Sequence, residues 1–181
     1  MHHTEQASPW VQRWTHLVPT HGTVLDVACG HGRHLRWFAA RGHAVVGVDR
    51  DPAAAEAAGG AALVVQADIE NGPWPFAGQR FDAVIVTNYL WRALLPTIVG
   101  SVADGGVLIY ETFAAGNETV GKPSRPDFLL QPGELLQACG GLHVVAYENG
   151  FLEAPERFVQ RIVALRKRPA DGALPERHRL A

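Results

Sequence analysis

Short apolar runs recur along the chain, separated by segments long enough to form helices. Apolar runs of a few residues bounded by Gly, Pro, Asn or Asp are typical of buried strands. The pattern predicts seven strands, at about Val24–Asp26, Ala44–Asp49, Leu63–Gln66, Phe81–Thr87, Val107–Phe113, His143–Glu148 and Phe158–Arg166. Because helices separate the first five strands, we expect an α/β domain with a doubly wound, mostly parallel sheet and right-handed crossovers.

Apolar residues at helical spacing occupy the intervening segments. Ser8 and Pro9 are suited to the N-cap and first position of a helix, and its apolar residues include two tryptophans expected to face the core. Further helices are predicted at about Arg33–Arg41, Ala53–Ala58, Leu90–Val99 and Pro132–Cys139. Asn149-Gly150 and the Ala154-Pro155-Glu156 segment are predicted to turn the chain between the last two strands.

The segment V-L-D-V-A-C-G-H-G-R-H-L, residues Val24–Leu35, converts a strand into a glycine loop that begins a helix. Gly30 and Gly32 permit backbone conformations and close approaches that a Cβ atom would obstruct. The unpaired amides at the start of the helix favour a carboxylate or phosphate nearby. A tight turn can also need glycine for its geometry alone, so the loop by itself does not establish a ligand site.

The second strand strengthens the interpretation, because it ends in Asp49, where an acid in a doubly wound sheet binds ribose hydroxyls. A dinucleotide fingerprint would place a third glycine at position 35, which is Leu35 here. It also does not require an acid such as Asp26 in the strand before the loop. The sequence therefore disfavours NAD.

The segments D-V-A-C-G-H-G-R-H and V-V-G-V-D-R-D resemble the first two motifs of the class I S-adenosylmethionine-dependent methyltransferases. The resemblance implies a single Rossmann-like domain with helices on both faces and seven strands in the order 3-2-1-4-5-7-6, the last one antiparallel. It implies S-adenosylmethionine as cofactor. Its methionine part would lie against Gly30 and Gly32, its amino group near Asp26 and its ribose hydroxyls on Asp49.

The third strand ends near Asp68, which matches the acid that binds adenine in this family, and the amide and side chain of Ile69 would contact the ring. The same resemblance assigns cofactor contacts to Ala28, Arg33, Arg50 and Asn88. Asp68 could instead cap the turn before Asn71-Gly72-Pro73. We expect Asp26, Asp49 and Asp68 to line one common cavity.

Methyl transfer from a sulfonium is accelerated mainly by positioning the reactants and excluding water. Where the acceptor must lose a proton, Glu111, Tyr89 or His34 could take it. Each also has a structural alternative: Glu111 could be paired in the interior, Tyr89 could pack at a helix start, and His34 could cap its helix. His31 and His34 have no convincing third ligand nearby in sequence, so we expect no metal.

Residues Ala114–Gln131 form a long connection, which in a compact domain is typical of a lid or a binding loop. Lys122 and Arg125 could bind an anionic group of the acceptor, with Trp91 and Arg92 nearby at the end of the fourth strand. A solvated surface loop is the alternative. The stretch Y-E-T-F-A-A-G-N-E and the residues after it resemble the small bacterial methyltransferases of the tellurite-resistance type.

The chain has 181 residues, of which 47% are hydrophobic, and this predicts one methyltransferase domain at residues 1–168 with a polar tail at 169–181. A net charge of −2 disfavours sequence-independent binding to nucleic acid. Two cysteines suit the reducing cytoplasm, and no segment resembles a membrane span or secretory signal. The sequence leaves the oligomeric state open.

The composition and the resemblance together favour a small molecule as the methyl acceptor. A nucleic-acid or protein methyltransferase is an alternative, since Asn88-Tyr89 resembles an Asn-Pro-Pro-Tyr element, although both prolines are missing. A non-catalytic protein that binds the cofactor is another, in which Trp91 or Phe113 would plug the acceptor channel.

Overall fold

A seven-stranded sheet forms the centre of the protein in a computed structural model, which describes residues 6–58, 60, 62–168 and 176–180. The strands are β1 (Thr23–Val27), β2 (Ala44–Asp49), β3 (Leu63–Gln66), β4 (Phe81–Thr87), β5 (Val102–Phe113), β6 (His143–Glu153) and β7 (Glu156–Leu165). Their order is β3-β2-β1-β4-β5-β7-β6, as expected. The first five are parallel, and β7 runs antiparallel between β5 and β6.

This order reverses direction between β1 and β4, where the chain crosses from one half of the sheet to the other. A crevice forms outside the carboxyl ends of parallel strands at such a switch point, and ligands bind there. The register places Asp26 of β1 beside Gly47 of β2 and Ile85 of β4, so the acid belongs to the most central strand of the parallel part.

Two strands, β5 and β6, are several residues longer than the sequence predicts. β5 begins at Val102, and its pairing with β4 contains an irregularity between Phe81 and Ala83. β6 continues through Asn149-Gly150 as far as Glu153, because its pairing with β7 is maintained to the pair Glu153 and Glu156. The turn is therefore at Ala154-Pro155, whereas Asn149-Gly150, also predicted to turn the chain, lies within β6.

The helices are short and flank the sheet: α1 (Pro9–Trp14), α2 (Arg33–Ala39), α3 (Ala53–Ala57), α4 (Leu95–Gly100) and α5 (Glu134–Ala138). The predicted helix at Leu90–Val99 begins late, because Asn88 has a left-handed φ of 54° and Trp91 is extended. A 3-10 turn at Arg92–Leu94 then leads into α4. Gly133, with φ 79°, likewise delays α5 to Glu134.

Both faces of the sheet are covered. One core cluster packs side chains of α1, α2 and α3, among them Trp10 and Phe38, against the sheet. The other packs Ile98 of α4 and Leu135 of α5 against the opposite face. Trp10 and Trp14 are 2% and 1% exposed, which confirms that the tryptophans of α1 face the core.

Part of the predicted polar tail lies against α1. Arg13 donates to the backbone oxygen of Leu180 at 3.2 Å, and His16 contacts that of Arg179 at 3.0 Å. Residues 169–175 and 181 lie outside the described part of the chain, as do residues 1–5 at the other end. Among the described helices, none combines the length and apolar character needed to cross a bilayer.

Candidate functional site

A cavity of about 390 Å³ opens at the carboxyl ends of the parallel strands. The tips of β2 and β3 contribute Asp49 and Asp68, and the segment after β4 contributes Asn88 and Tyr89. The end of β5 and the loop that follows it complete the wall with Thr112, Phe113, Pro123 and Phe128. The cavity therefore spans the switch point at which ligand binding is expected.

The loop after β1 has an unusual backbone. Ala28 and Gly30 have φ values of 55° and 49°, and Gly32, the N-cap of α2, has φ 71°. A residue with a side chain is strained in this left-handed region, and Ala28 is such a residue on the cavity wall. A Cβ atom on Gly30 would meet open space, so Gly30 is needed for its conformation and not for a close approach.

The close approach that sequence reasoning missed is at Gly47 in β2. A Cβ atom there would lie 2.8 Å from Sγ of Cys29 and 2.9 Å from Cδ1 of Leu35. The glycine thus lets the loop and α2 pack closely against β2. In the sequence, a glycine within an otherwise apolar strand is the feature that indicates such a close approach.

Asp49 joins the end of β2 to the glycine loop. Its Oδ2 accepts a hydrogen bond of 2.7 Å from the Gly30 amide, and its Oδ1 accepts one of 2.9 Å from the Asp51 amide. The side chain is half-buried and lines the cavity together with the neighbouring Arg50. Each carboxylate oxygen retains a further acceptor position, which suits a pair of hydroxyl groups.

Asp68 caps the turn that follows it and also lies on the cavity wall. Its Oδ1 accepts from the amides of Glu70 and Asn71, and its Oδ2 accepts from the Asn71 side chain. These hydrogen bonds, that of the Asn71 side chain first, lower the pKa of Asp68. The side chain therefore caps a turn and also lines the cavity, next to Ile69, which is 9% exposed.

Asp26 does not lie where we expected it. It is 1% exposed and is not among the described residues that line the cavity. Because β1 continues to Val27, Asp26 is still within the strand, and its Oδ2 lies 3.7 Å from Nδ1 of His34. This oxygen has no hydrogen-bond partner among the described residues. The common cavity thus contains Asp49 and Asp68, whereas Asp26 is buried and is not part of its described lining.

Comparison with known proteins agrees with this architecture. Residues 24–106 match a family model described as a methyltransferase domain. Just under half of the chain is therefore similar to a methyltransferase domain. This match covers β1 to β4 and the start of β5, and with them the glycine loop, Asp49 and Asp68. None of the proteins with curated functions matches the sequence significantly.

Solved structures of methyltransferases share the fold of the domain. TehB from Haemophilus influenzae is 18% identical with a TM-score of 0.67, and the match covers 88% of this chain and 61% of that chain. A TehB-like methyltransferase from Corynebacterium glutamicum is 20% identical with a TM-score of 0.64, covering 87% of each chain. Magnesium protoporphyrin IX methyltransferase from Synechocystis, solved with S-adenosylhomocysteine (SAH) bound, is 16% identical with a TM-score of 0.65, covering 87% and 79%.

Two of the predicted proton acceptors are part of the interior. His34 is 2% exposed, and its Nε2 accepts from the Ser8 amide at 3.1 Å, which places the ring proton on Nδ1, facing Asp26. Glu111 is 1% exposed, and its two oxygens accept from the Ser8 hydroxyl at 2.8 Å and from Arg161 at 3.1 Å. The structure thus places both side chains in a buried polar network, the structural alternative for Glu111.

Ser8 is the centre of that network. Its amide donates to His34, its hydroxyl donates to Glu111, and its oxygen accepts from the Trp10 amide at the start of α1. One residue therefore fixes α1 to α2 and to the end of β5. The helix cap was predicted from the sequence, but its two distant partners were not.

We expect Ser8→Ala to reduce the free energy of unfolding by about 2 kcal/mol, because it removes a helix cap and leaves a Glu111 oxygen without its donor. Chemical denaturation measures this loss. Ser124→Ala, at an exposed position, should leave the stability within about 0.5 kcal/mol of the wild type. An equal effect of the two changes would mean that the network does not anchor α1.

Tyr89 lies near the charged groups that follow β3. Burial, and then the nearby carboxylate of Glu70, raise the pKa of Tyr89 well above its usual range. Its phenol is therefore protonated at neutral pH. Its backbone oxygen accepts a 2.8 Å hydrogen bond from the Tyr110 hydroxyl, which fixes the segment after β4 against β5.

Arg33 and Arg92 are both engaged away from the cavity wall. Arg33 lies 3.4 Å from the Thr87 hydroxyl; burial lowers the pKa of its guanidinium, and the Asp26 carboxylate opposes that shift. Arg92 forms an ion pair of 2.6 Å with Glu134 of α5, and it donates to the backbone oxygens of Asp127 and Leu129 in the loop before α5. Trp91 packs against the core, and none of the three is among the described lining residues.

The long connection, Ala114–Gln131, is folded against the domain. Ala114 forms a bridge with Leu130, and the buried Asn117 donates to the Pro123 backbone oxygen and accepts from the Phe158 amide. These contacts place Pro123 and Phe128 of the loop on the cavity wall. Of the two predicted anion-binding residues, Lys122 is exposed, and Arg125, also exposed, pairs with Asp127 at 2.6 Å.

His31 and His34 were also considered as metal ligands. In the part of the chain that the structure describes, no three His, Cys, Asp or Glu side chains are grouped as a metal site would require. His34 instead has the interior partners described above.

Proposed function

We propose that this protein transfers a methyl group from S-adenosylmethionine to a small-molecule acceptor, mainly by positioning the two reactants and excluding water. The observation that carries the proposal is the joining of Asp49 to the glycine loop at the edge of a cavity, within a methyltransferase domain. The fold of SAH-bound structures supports the same cofactor.

The described residues fit the cofactor group by group. Asp49 would accept hydrogen bonds from the ribose hydroxyls, and Asp68 with Ile69 would contact the adenine. Asp26, with one buried oxygen unpaired, supplies a negative charge that favours an ammonium group near the loop. When bound, S-adenosylmethionine supplies an activated methyl group on a sulfonium.

The positions of the ionisable groups support catalysis without a strong base. Glu111 and His34 are engaged in the interior, and the raised pKa of Tyr89 makes it a poor base in its resting state. The chain would therefore contribute a fixed geometry and a cavity wall that displaces water from the acceptor. These effects favour an in-line displacement, because it needs reactants that are aligned and desolvated.

Thermal unfolding with added ligands tests the cofactor assignment. SAH at about 100 times its dissociation constant should stabilise the fold by about 2.7 kcal/mol, which raises the Tm by roughly 5 to 10 °C, whereas NAD should leave it unchanged. Stabilisation by NAD and not by SAH would overturn the proposal. Absence of any SAH formation with a broad panel of acceptors would instead support a non-catalytic protein.

A further inference from the structure

The residues that line the cavity form a charged half near β2 and β3 and an apolar half near β4 and β5. β3 and β5 are four strand positions apart, so their tips are separated by about 19 Å. Every charged side chain among the described lining residues follows β2 or β3: Asp49, Arg50, Asp68 and Glu70. Tyr89 belongs to the same half, because Glu70 and Asp68 are among the groups that influence its pKa.

The half over β4 and β5 has a different character. Its described lining consists of the apolar residues Leu90, Phe113, Pro123 and Phe128, together with the polar Thr112. Asn88 lies between the two halves, held by a 2.9 Å hydrogen bond from its amide to the Glu111 backbone oxygen. The charged half fits the nucleoside, which leaves the apolar half for the acceptor.

Resting on the function proposed above, we propose that the acceptor is a small thiol with an apolar, ring-sized body. A carboxylate or oxyanion buried in the apolar half would lack a countercharge, because no cation is among the described residues that line it. The exposed Lys122, Arg125 and Asp127 of the neighbouring loop are not part of that lining, and Arg125 is paired with Asp127.

The thiol follows from the positions of the possible bases. On β5, Glu111 is bound by Ser8 and Arg161, and after β4, Arg92 is bound by Glu134. No ionisable side chain is among the described residues that line that half. A thiol ionises partly at neutral pH without help and is an intrinsically strong nucleophile, unlike an alcohol or phenol.

The transfer step then balances without a protein base. The thiol first releases its proton to water. Its sulfur forms the new bond to the methyl carbon, and the electron pair of the broken bond stays on the sulfur of the cofactor. The products are a thioether and SAH, and no external oxidant or reductant is consumed.

Acceptor competition tests this proposal with the wild-type protein. SAH formation is measured with thiophenol, phenol, benzoate and tellurite, each with S-adenosylmethionine at saturation. We expect kcat/KM for thiophenol to exceed the values for the other three by at least about tenfold. Methyl transfer to benzoate or tellurite in preference to thiophenol would overturn the inference and leave the proposed function intact. Failure to bind SAH would overturn both.

The pH dependence provides a second criterion. Since the proton leaves before transfer, the midpoint of kcat/KM against pH should follow the acidity of the thiol. When thiophenol is replaced by the less acidic benzyl mercaptan, the midpoint should move upward by the difference between the two thiol pKa values. A midpoint that stays the same for both thiols would show that a protein group takes the proton.

A binding measurement tests whether Phe128 contacts the acceptor, independently of the methyl-transfer step. Thioanisole, the thioether product, should bind to the SAH complex several-fold more weakly after Phe128→Ala, with SAH affinity unchanged. Phe151→Ala is the matched control, because Phe151 is 43% exposed against 38% for Phe128 but is not among the described lining residues. Equal thioanisole affinity in the two variants would show that Phe128 does not contact the acceptor.

Discussion

Replacing Asp49 by asparagine is expected to weaken SAH binding by at least about 100-fold. The carboxylate accepts from the amides of Gly30 and Asp51, and its remaining acceptor positions face the cavity that would hold the ribose. An asparagine side chain has only one acceptor oxygen, so its NH₂ group would face an amide donor and the negative charge would be lost. Losing two charge-assisted hydrogen bonds costs about 3 kcal/mol, which corresponds to about 100-fold in affinity.

Isothermal titration calorimetry measures this effect on Asp49→Asn. The matched control is Asp104→Asn, since Asp104 is partly exposed, pairs with Arg80 at 3.5 Å and is not among the described residues of the cavity. Its SAH affinity should stay within about twofold of the wild type. A folded Asp49→Asn protein that binds SAH almost as well as the wild type would show that Asp49 does not hold the cofactor.

The largest loss of stability is expected from Glu111→Ala. Glu111 is fully enclosed, and its carboxylate is the partner of both Ser8 and Arg161, with Arg157 3.9 Å away. Removing it leaves Arg161 paired with Glu148 alone, takes a carboxylate away from the partly buried Arg157 and leaves the buried Ser8 hydroxyl without its acceptor, which together costs about 3 kcal/mol. We expect the Tm to fall by roughly 10 °C.

Two further variants serve as controls for Glu111→Ala. Glu56→Ala, at an exposed position of α3, should leave the Tm nearly unchanged, and Glu111→Gln should be less harmful than Glu111→Ala because it keeps an acceptor for Ser8. If Glu111 were instead a catalytic base, Glu111→Gln would abolish methyl transfer while preserving both stability and SAH affinity. That outcome would show that Glu111 acts in catalysis.

The parts of the structure that depend on local patterns could be predicted from the sequence. The alternation of apolar runs and helical segments yields the parallel part of the sheet, and the strand order follows from the family resemblance. Asp49 and Asp68 are at strand tips, so their positions follow once the strands are known. Ser8 caps its helix through a contact only two residues away.

The remaining features depend on contacts between distant parts of the chain. Ser8 meets Glu111 across 103 positions, and Arg92 meets Glu134 across 42, so neither partner could be recognised beforehand. A carboxylate at the end of an apolar strand looks the same in sequence whether it faces a cavity or a buried arginine. Asp26 was expected in the cavity because the strand was predicted to end there. β1 continues for one more residue, to Val27, and the Asp26 side chain is buried.

A crystal structure of the complex with SAH tests the central claim most directly. We expect both ribose hydroxyls at about 3 Å from the Asp49 carboxylate, the adenine beside Asp68 and Ile69, and the thioether sulfur turned toward the half over β4 and β5. SAH bound with its ribose away from Asp49, or with its sulfur facing β2 and β3, would contradict the account.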